Sequence, residues 1–405
     1  MKRIFAVLLS ALVLFTTPLC FAGCNGKDDN KLTVWHDKEE AVIDVLRAEL
    51  DKAELGFEVE FIRKEGLTDS LKLVGNDYKS APDMFVFAHD KVGLFAEIGI
   101  LEPMTELLDD GVLDGLLETT LDAGRYKSDI YQLPLYFETL LFMYNKALMK
   151  ESDVPETTDD LLAYMKANTN KADKKFAFVE QHSTAYYSAP WIQGFGGTVL
   201  TADGKPNLTD EAIVNALTYH KRFLPYMPGQ SEYSTINTLF TEGMAASIIG
   251  GPWLVPTVRE AGIDLGFADM PIVNASGKAL SPYLGVQGVH VLKVAVRDAD
   301  RKAKIQRVLR VLASEKVSTD IALASGCAPA RVECYEDERI VNDAMVQKMR
   351  ATALKATPMP NLPEMDVMFL MLGKLCEDVN LKNIDPATAC ASRQEKAQEL
   401  IDKMK

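Results

Sequence analysis

The sequence predicts an α/β fold, and three observations carry that prediction. Apolar patterns of strand length and helix length alternate through the first hundred residues, the mark of βα units laid on a mostly parallel sheet. The stretch Ile130 to Met149 holds two aromatic-rich runs of strand length, Ile130 to Phe137 and Leu140 to Tyr144, with a single carboxylate, Glu138, between them. The 405 residues allow two or three domains and contain no internal repeat, low-complexity tract or long linker.

Taken in order, Leu32 to Trp35 is a predicted strand, and Glu39 to Glu54 a helix with Val42, Ile43, Leu46 and Leu50 on one face. A strand over Phe57 to Ile62, a helix over Leu67 to Val74, a strand over Asp83 to Phe87 and a short helix over Val92 to Ile98 follow. Pro134 cannot donate to a strand ladder, so its run is expected at an edge or in a crossing segment. Thr157 and Thr158 can cap a helix running to Lys166. Phe176 to Val179 is a predicted strand, and Gly196-Gly197 ends an aromatic helix. Asp203-Gly204 marks a hairpin-type turn. Helices are expected over Asp210 to Leu224 and Ile236 to Glu242, and a strand over Ala246 to Ile249. Gly250-Gly251-Pro252-Trp253 then opens another helix, and Tyr283 to Leu292 is strand-like. Asp298 to Ser325, Glu338 to Ala353, Met365 to Asn380 and Pro386 to Lys403 carry helical periodicity.

The first 23 residues have the form of an export signal. Lys2 and Arg3 precede an apolar run from Ile4 to Phe15, and small residues lead to Cys24. Phe21-Ala22-Gly23-Cys24 resembles a bacterial lipobox, which predicts lipidation at Cys24 and a short polar tether over residues 24–30. Residues 1–23 hold two basic residues and no acid, so the formal net charge of −14 becomes −16 without them. Such a surface repels phosphate backbones, so nucleic acid is not expected as a partner. Four further cysteines remain, Cys327, Cys334, Cys376 and Cys390. In an oxidising compartment an even number suggests disulfides, and Cys327 with Cys334 and Cys376 with Cys390 would close short loops. The alternative is four thiols buried as small hydrophobes.

Enzyme motifs are missing: no Gly-x-Ser-x-Gly, no His-Glu-x-x-His, no phosphate-binding glycine loop, and five histidines without ligand spacing. No cofactor and no metal site is expected. What recurs instead is an aromatic beside a charged or amide group at a strand end or helix start. Examples are Trp35-His36-Asp37-Lys38, Phe87-Ala88-His89-Asp90-Lys91, Phe137-Glu138 and Gly250-Gly251-Pro252-Trp253. In open α/β sheets such ends gather around the ligand. Ring faces cover the C–H patches of a pyranose, and charged groups bond its hydroxyls, so the pattern suits a sugar.

Four segments, in this order, resemble the maltodextrin-binding branch of the family 1 extracellular solute-binding proteins. They are Phe87 to Lys91 with Gly99-Ile100-Leu101, Leu133-Pro134 through Tyr144-Asn145-Lys146, Gly250 to Trp253, and Met359 to Met365. The resemblance spans essentially the whole mature chain. It implies the type II periplasmic-binding-protein fold: two lobes, each a mixed sheet flanked by helices, three interlobe crossings, and a ligand cleft that closes around a sugar. The lobes would comprise 31–137 plus 288–333 and 138–287 plus 334–405. By position, Asp37 and Lys38 would be hinge-side contacts. Asp90 and Lys91 would bind hydroxyls, with Phe87 stacking beside them. Glu138 would be the acid of the crossing, and Tyr186, Trp253 and Phe369 the second lobe's aromatic wall. The implied role is a monomeric, lipid-anchored, non-enzymatic binding protein that delivers a sugar to the permease of an ABC importer. Lys91 replaces the family's arginine, Phe87 and Phe369 replace tryptophans, Ala189 another aromatic, Thr184 an acid and Gly373 an arginine, which leaves maltose itself open. Two other readings remain at this level. Tyr186-Tyr187 with His36 resembles ferric-ion binders of the same fold, and a secreted glycosidase would need only a carboxylate pair.

Overall fold

The computed structural model describes residues 27–404, so the export signal and Cys24 lie outside the described residues. Strands β1 (Lys31–His36), β2 (Glu58–Arg63) and β3 (Met84–Ala88) come first, followed by the small hairpin β4 (Arg125–Tyr126) and β5 (Asp129–Ile130). The pivotal stretch supplies β6 (Leu133–Glu138) and β7 (Leu141–Asn145). Strands β8 (Ser247–Gly250), β9 (Leu265–Ala268), β10 (Tyr283–Val291), β11 (Ala328–Pro329) and β12 (Thr357–Pro358) complete the set. They form a seven-stranded sheet in the order β11-β6-β10-β3-β1-β2, with β12 added to β10, and a three-stranded sheet in the order β8-β7-β9.

Each sheet is the centre of one lobe. β1 pairs in parallel with β2 and β3, as the βα pattern requires, whereas β10 runs antiparallel to both β3 and β6. On one face Leu32, Val34, Val86 and Val289 pack with Leu46, Ile305, Leu309 and Ile321 of the helices Glu40–Lys52, Ala299–Leu312 and Glu315–Ser325. On the other, Phe85 meets Leu71, Phe95 and Ile100. Around the small sheet, Phe142 packs with Phe178 and Trp191, and Met143 with Ile248 and Val258. A further cluster joins the helices Ala185–Gly194, Glu211–His220, Met365–Cys376 and Pro386–Asp402.

β6 shows why Pro134 is tolerated. Its outer neighbour β11 reaches only Tyr136 and Phe137, so position 134 has no strand on that side. On the inner side Pro134 faces Gly288, where the β6–β10 register shifts. A Cβ on Gly288 would lie 2.3 Å from the Leu133 carbonyl, so only glycine lets β6 approach there. The expected segments hold with local changes. Thr157 does cap its helix, Thr158–Asn168, through a reciprocal bond with Asp160. The stretch Asp298 to Ser325 is two helices, because Ser314 caps the second. Phe176 to Val179 makes isolated bridges to Ala245 and Ile248 in place of a regular strand.

The expected disulfides do not form: Cys327, Cys334, Cys376 and Cys390 are all buried free thiols. Their surroundings explain it. The Cys327 thiol points to Glu138, and the Cys334 thiol donates to the Glu315 carbonyl at 3.5 Å, so this pair serves different partners. Cys376 and Cys390 sit in one apolar cluster as packing groups, and burial pushes both thiols up to about 12.

The first lobe is stapled by one buried charge cluster. Arg301 grips Asp83 through Nε at 2.6 Å and Nη2 at 2.8 Å, Lys27 adds a contact of 2.7 Å, and the Thr33 amide donates at 2.8 Å. Burial alone would raise the Asp83 carboxyl, but Arg301 and Lys27 outweigh it and hold the group below its usual value. Asp83→Ala would strand the Arg301 guanidinium, so a loss of about 3–5 kcal/mol is expected in denaturant titrations. Because the folded value is depressed, the contribution of Asp83 is present above the ordinary carboxylate range and is lost as pH falls through the folded value. The acid limb of the wild-type stability curve should therefore be shallower in the variant, the remainder coming from other depressed carboxyls such as Asp366 and Asp378.

Candidate functional site

The site is built from the ends of β1, β3, β6 and β8 and from two helices of the second lobe. β1 ends in His36, so Asp37 and Lys38 follow it directly, their side chains 2.8 Å apart. Lys38 is buried, and its ammonium lies 5.5 Å from the centre of the Phe87 ring at the end of β3. The next turn carries Asp90 and Lys91, with Lys91 Nζ 3.0 Å from Asp90 Oδ2. The five residues expected in the first lobe therefore share one wall.

Glu138 ends β6 and is 8% exposed. Gln287 of β10 donates from Nε2 to its Oε1 at 2.7 Å, and the Cys327 thiol donates to its Oε2 at 3.5 Å. Burial pushes the carboxyl up to about 7, despite the nearby Lys38 charge and the two donors. Strand alternation puts Phe137 on the opposite face, where it helps to line a cavity of ≈ 330 Å³ with Leu284, Met359 and Asn361. That cavity lies behind the crossing, away from the Glu138 side chain.

The second lobe supplies the aromatic wall. Trp253 follows Gly250-Gly251 at the end of β8 and opens a short helical turn with Pro252 at its start. A Cβ on Gly251 would lie 2.2 Å from the indole, so glycine is what lets the ring fold back over the strand end. The Tyr186 and Trp253 rings stand 6.2 Å apart, and Tyr187 is 5.8 Å from Tyr186. Burial first, and then the charge of Glu138, pushes the Tyr186 phenol well above its usual range. Phe369, on the helix Met365–Cys376, lies 6.2 Å from Tyr283 and 5.2 Å from the Lys91 ammonium.

Lys91 thus joins the two walls. Asp366, one turn before Phe369, accepts from Lys91 at 3.2 Å and from Lys72 of the helix Leu67–Val74 at 2.8 Å. Burial lowers the Lys91 ammonium, but Asp90 and Asp366 outweigh it and hold it above its usual value. Gln287, Lys72 and Asp366 were not among the expected site residues, and Cys327 was expected in a disulfide and not beside Glu138. Gln287 left a trace only as an amide inside the largely apolar run Tyr283 to Leu292. Among the described residues no group of three or more histidine, cysteine or acidic side chains is placed to hold a metal ion.

Two lobes on separate sheets, joined by crossing strands and enclosing a polar and aromatic cleft, define a solute-binding protein. Residues 46–348 match the bacterial extracellular solute-binding protein family, and the chain belongs to that family. It is 29% identical over 344 residues to a maltotriose-binding protein of Pyrococcus abyssi (strain GE5 / Orsay), covering 84% of this chain and 75% of that protein. It is 26% identical over 406 residues to a galactooligosaccharide-binding protein of Bacillus subtilis (strain 168), covering 94% of each. The fold superposes with a TM-score of 0.78 on a cyclo/maltodextrin-binding protein complexed with maltotetraose, at 26% identity over 94% of this chain and all of that one.

The tryptophans separate core from cleft. Trp191 is 1% exposed and donates to Glu180 at 3.0 Å, whereas Trp253 is only half-buried. Trp191→Ala should cost about 3–5 kcal/mol of stability. Trp253→Ala should melt close to wild type yet weaken glycan binding at least about tenfold, the loss of a desolvated aromatic anchor. Melting curves and calorimetric titrations of both variants check this.

Proposed function

We propose that the protein captures a maltooligosaccharide or a related oligosaccharide between its lobes, closes on it, and delivers it to the permease of an ABC importer. The observation that carries the reading is the convergence of Lys38, Asp90, Lys91 and Glu138 on a cleft whose far wall is Tyr186, Trp253 and Phe369. In this reading Asp37, Lys38, Asp90, Lys91 and Glu138 bond sugar hydroxyls, while Phe87, Tyr186, Trp253 and Phe369 cover the ring faces. Lysine at 91 and phenylalanine at 87 and 369 make the platform smaller and less directional than an arginine and tryptophans would. The names of the maltotriose-binding and galactooligosaccharide-binding relatives supply the sugar class.

The lobes in this reading are 31–137 plus 288–333 and 138–287 plus 334–405. The protein acts as a monomer, held at the cell envelope by a lipid on Cys24, and takes no cofactor. In this reading it acts by binding and not by catalysis, as the names of its family and relatives suggest. The ferric reading is disfavoured because the named relatives bind oligosaccharides.

Titration calorimetry over maltose, maltotriose, maltotetraose and galactooligosaccharides tests the proposal, with ferric citrate as the control. At least one glycan should bind with micromolar affinity or better, recovered intact and with a smaller radius of gyration in X-ray scattering. No binding across the series would overturn the sugar assignment.

A further inference from the structure

Glu138 is more than one polar group in a cleft. Its own strand, β6, is one passage between the lobes, and β10 runs antiparallel beside it. β11, which pairs with the other edge of β6 at Tyr136 and Phe137, leads the chain back toward the second lobe. The two donors to Glu138 come from those two neighbours. Gln287 lies in β10, and Cys327 immediately precedes β11. The acid is therefore bonded to both strands that flank its own, across sequence separations of 149 and 189 residues.

Neither donor has another visible purpose. Gln287 is 6% exposed, and its Oε1 has no partner, so the amide is turned to give its N–H to the acid. Cys327 is buried and makes no disulfide. Burial first, and then the Glu138 charge, pushes the Cys327 thiol well above its usual value, so it stays protonated and able to donate.

We propose that Gln287 and Cys327 are positioning residues: they hold the Glu138 carboxylate as an acceptor for a sugar hydroxyl and tie it to both neighbouring strands of the hinge. The inference rests on the sugar-binding reading for its ligand, but the geometry of the clamp does not depend on it. A carboxylate held this way accepts a ligand hydroxyl only when ionised, so the clamp acts through the proton on Glu138. The groups that surround it are Lys38, which favours the charged form, and Glu39, which opposes it. Its charge also reaches Tyr136 and Tyr186, and burial together with that charge keeps both phenols protonated. Asp37 bears on the same site through Tyr136. With the carboxyl already raised to about 7, each donor removed should raise it further.

The test is a carbon-13 NMR titration of the glutamate carboxyls, with Glu138 assigned by Glu138→Gln, beside the pH profile of maltotriose binding. Gln287→Leu and Cys327→Ala should each move the Glu138 midpoint upward, by about one unit for Gln287→Leu. The alkaline-favoured binding profile should move in the same direction. Cys327→Ser keeps a donor and should restore the wild-type midpoint. Melting temperatures report whether each variant folds, and the NMR midpoint is read on the folded protein whether or not maltotriose binds. If maltotriose binds to none of the proteins while the midpoints move, the clamp stands and the sugar assignment falls. If both donor deletions leave the midpoint in place, or weaken binding by one factor at every pH, the positioning role is refuted.

Discussion

A carboxylate buried where strands cross between two lobes constrains everything around it. Glu138 cannot be left without partners at 8% exposure, because an unpaired buried charge is costly. Its donors come from the strands on either side, so the chain that makes the hinge also satisfies the acid. Close approach of those strands depends in turn on a small residue. Gly288 lets β6 reach β10 where the register shifts. His89 adds a further tie: its Nδ1 accepts from the Val286 amide at 3.1 Å, which leaves Nε2–H to donate to the Met359 carbonyl at 3.2 Å. The ring thereby links β3, β10 and the segment after β12 at one point.

The two walls of the cleft follow from that geometry. The ends of β1 and β3 present short polar turns on one side, and the end of β8 and two helix starts present rings on the other. Their charges are arranged in alternation, Lys72, Asp366, Lys91 and Asp90, so that the walls attract one another where they meet. Lys91 has three donors and two carboxylate partners, which leaves one N–H uncommitted. In the proposed reading that N–H, beside phenylalanine faces, would make one of several modest contacts to a glycan.

Much of this was legible in the sequence where the signal is local. The helix Leu67–Val74 has the bounds its periodicity predicts, and of the two candidate caps Thr157 and Thr158, Thr157 is the one the structure uses. The resemblance to the solute-binding proteins rested on short segments at strand ends, and it led to the family and the fold. Sequence pattern failed where the deciding contact lies far along the chain. The cysteines suggested two local staples because their spacing is visible, whereas the Cys327 contact with Glu138 is not. Gln287 sits in a largely apolar strand and has no motif, so only the paired strands reveal its partner. Lys72 and Asp366 are 294 residues apart, and nothing in either neighbourhood points to the other.

The most direct measurement is a crystal structure of the protein grown with maltotriose. The account predicts glycan density between the two walls, with a hydroxyl bonded to Glu138 and sugar rings against Trp253 and Tyr186. Glycan seated elsewhere, for instance in the cavity behind the crossing beside Phe137 and Leu284, would contradict it.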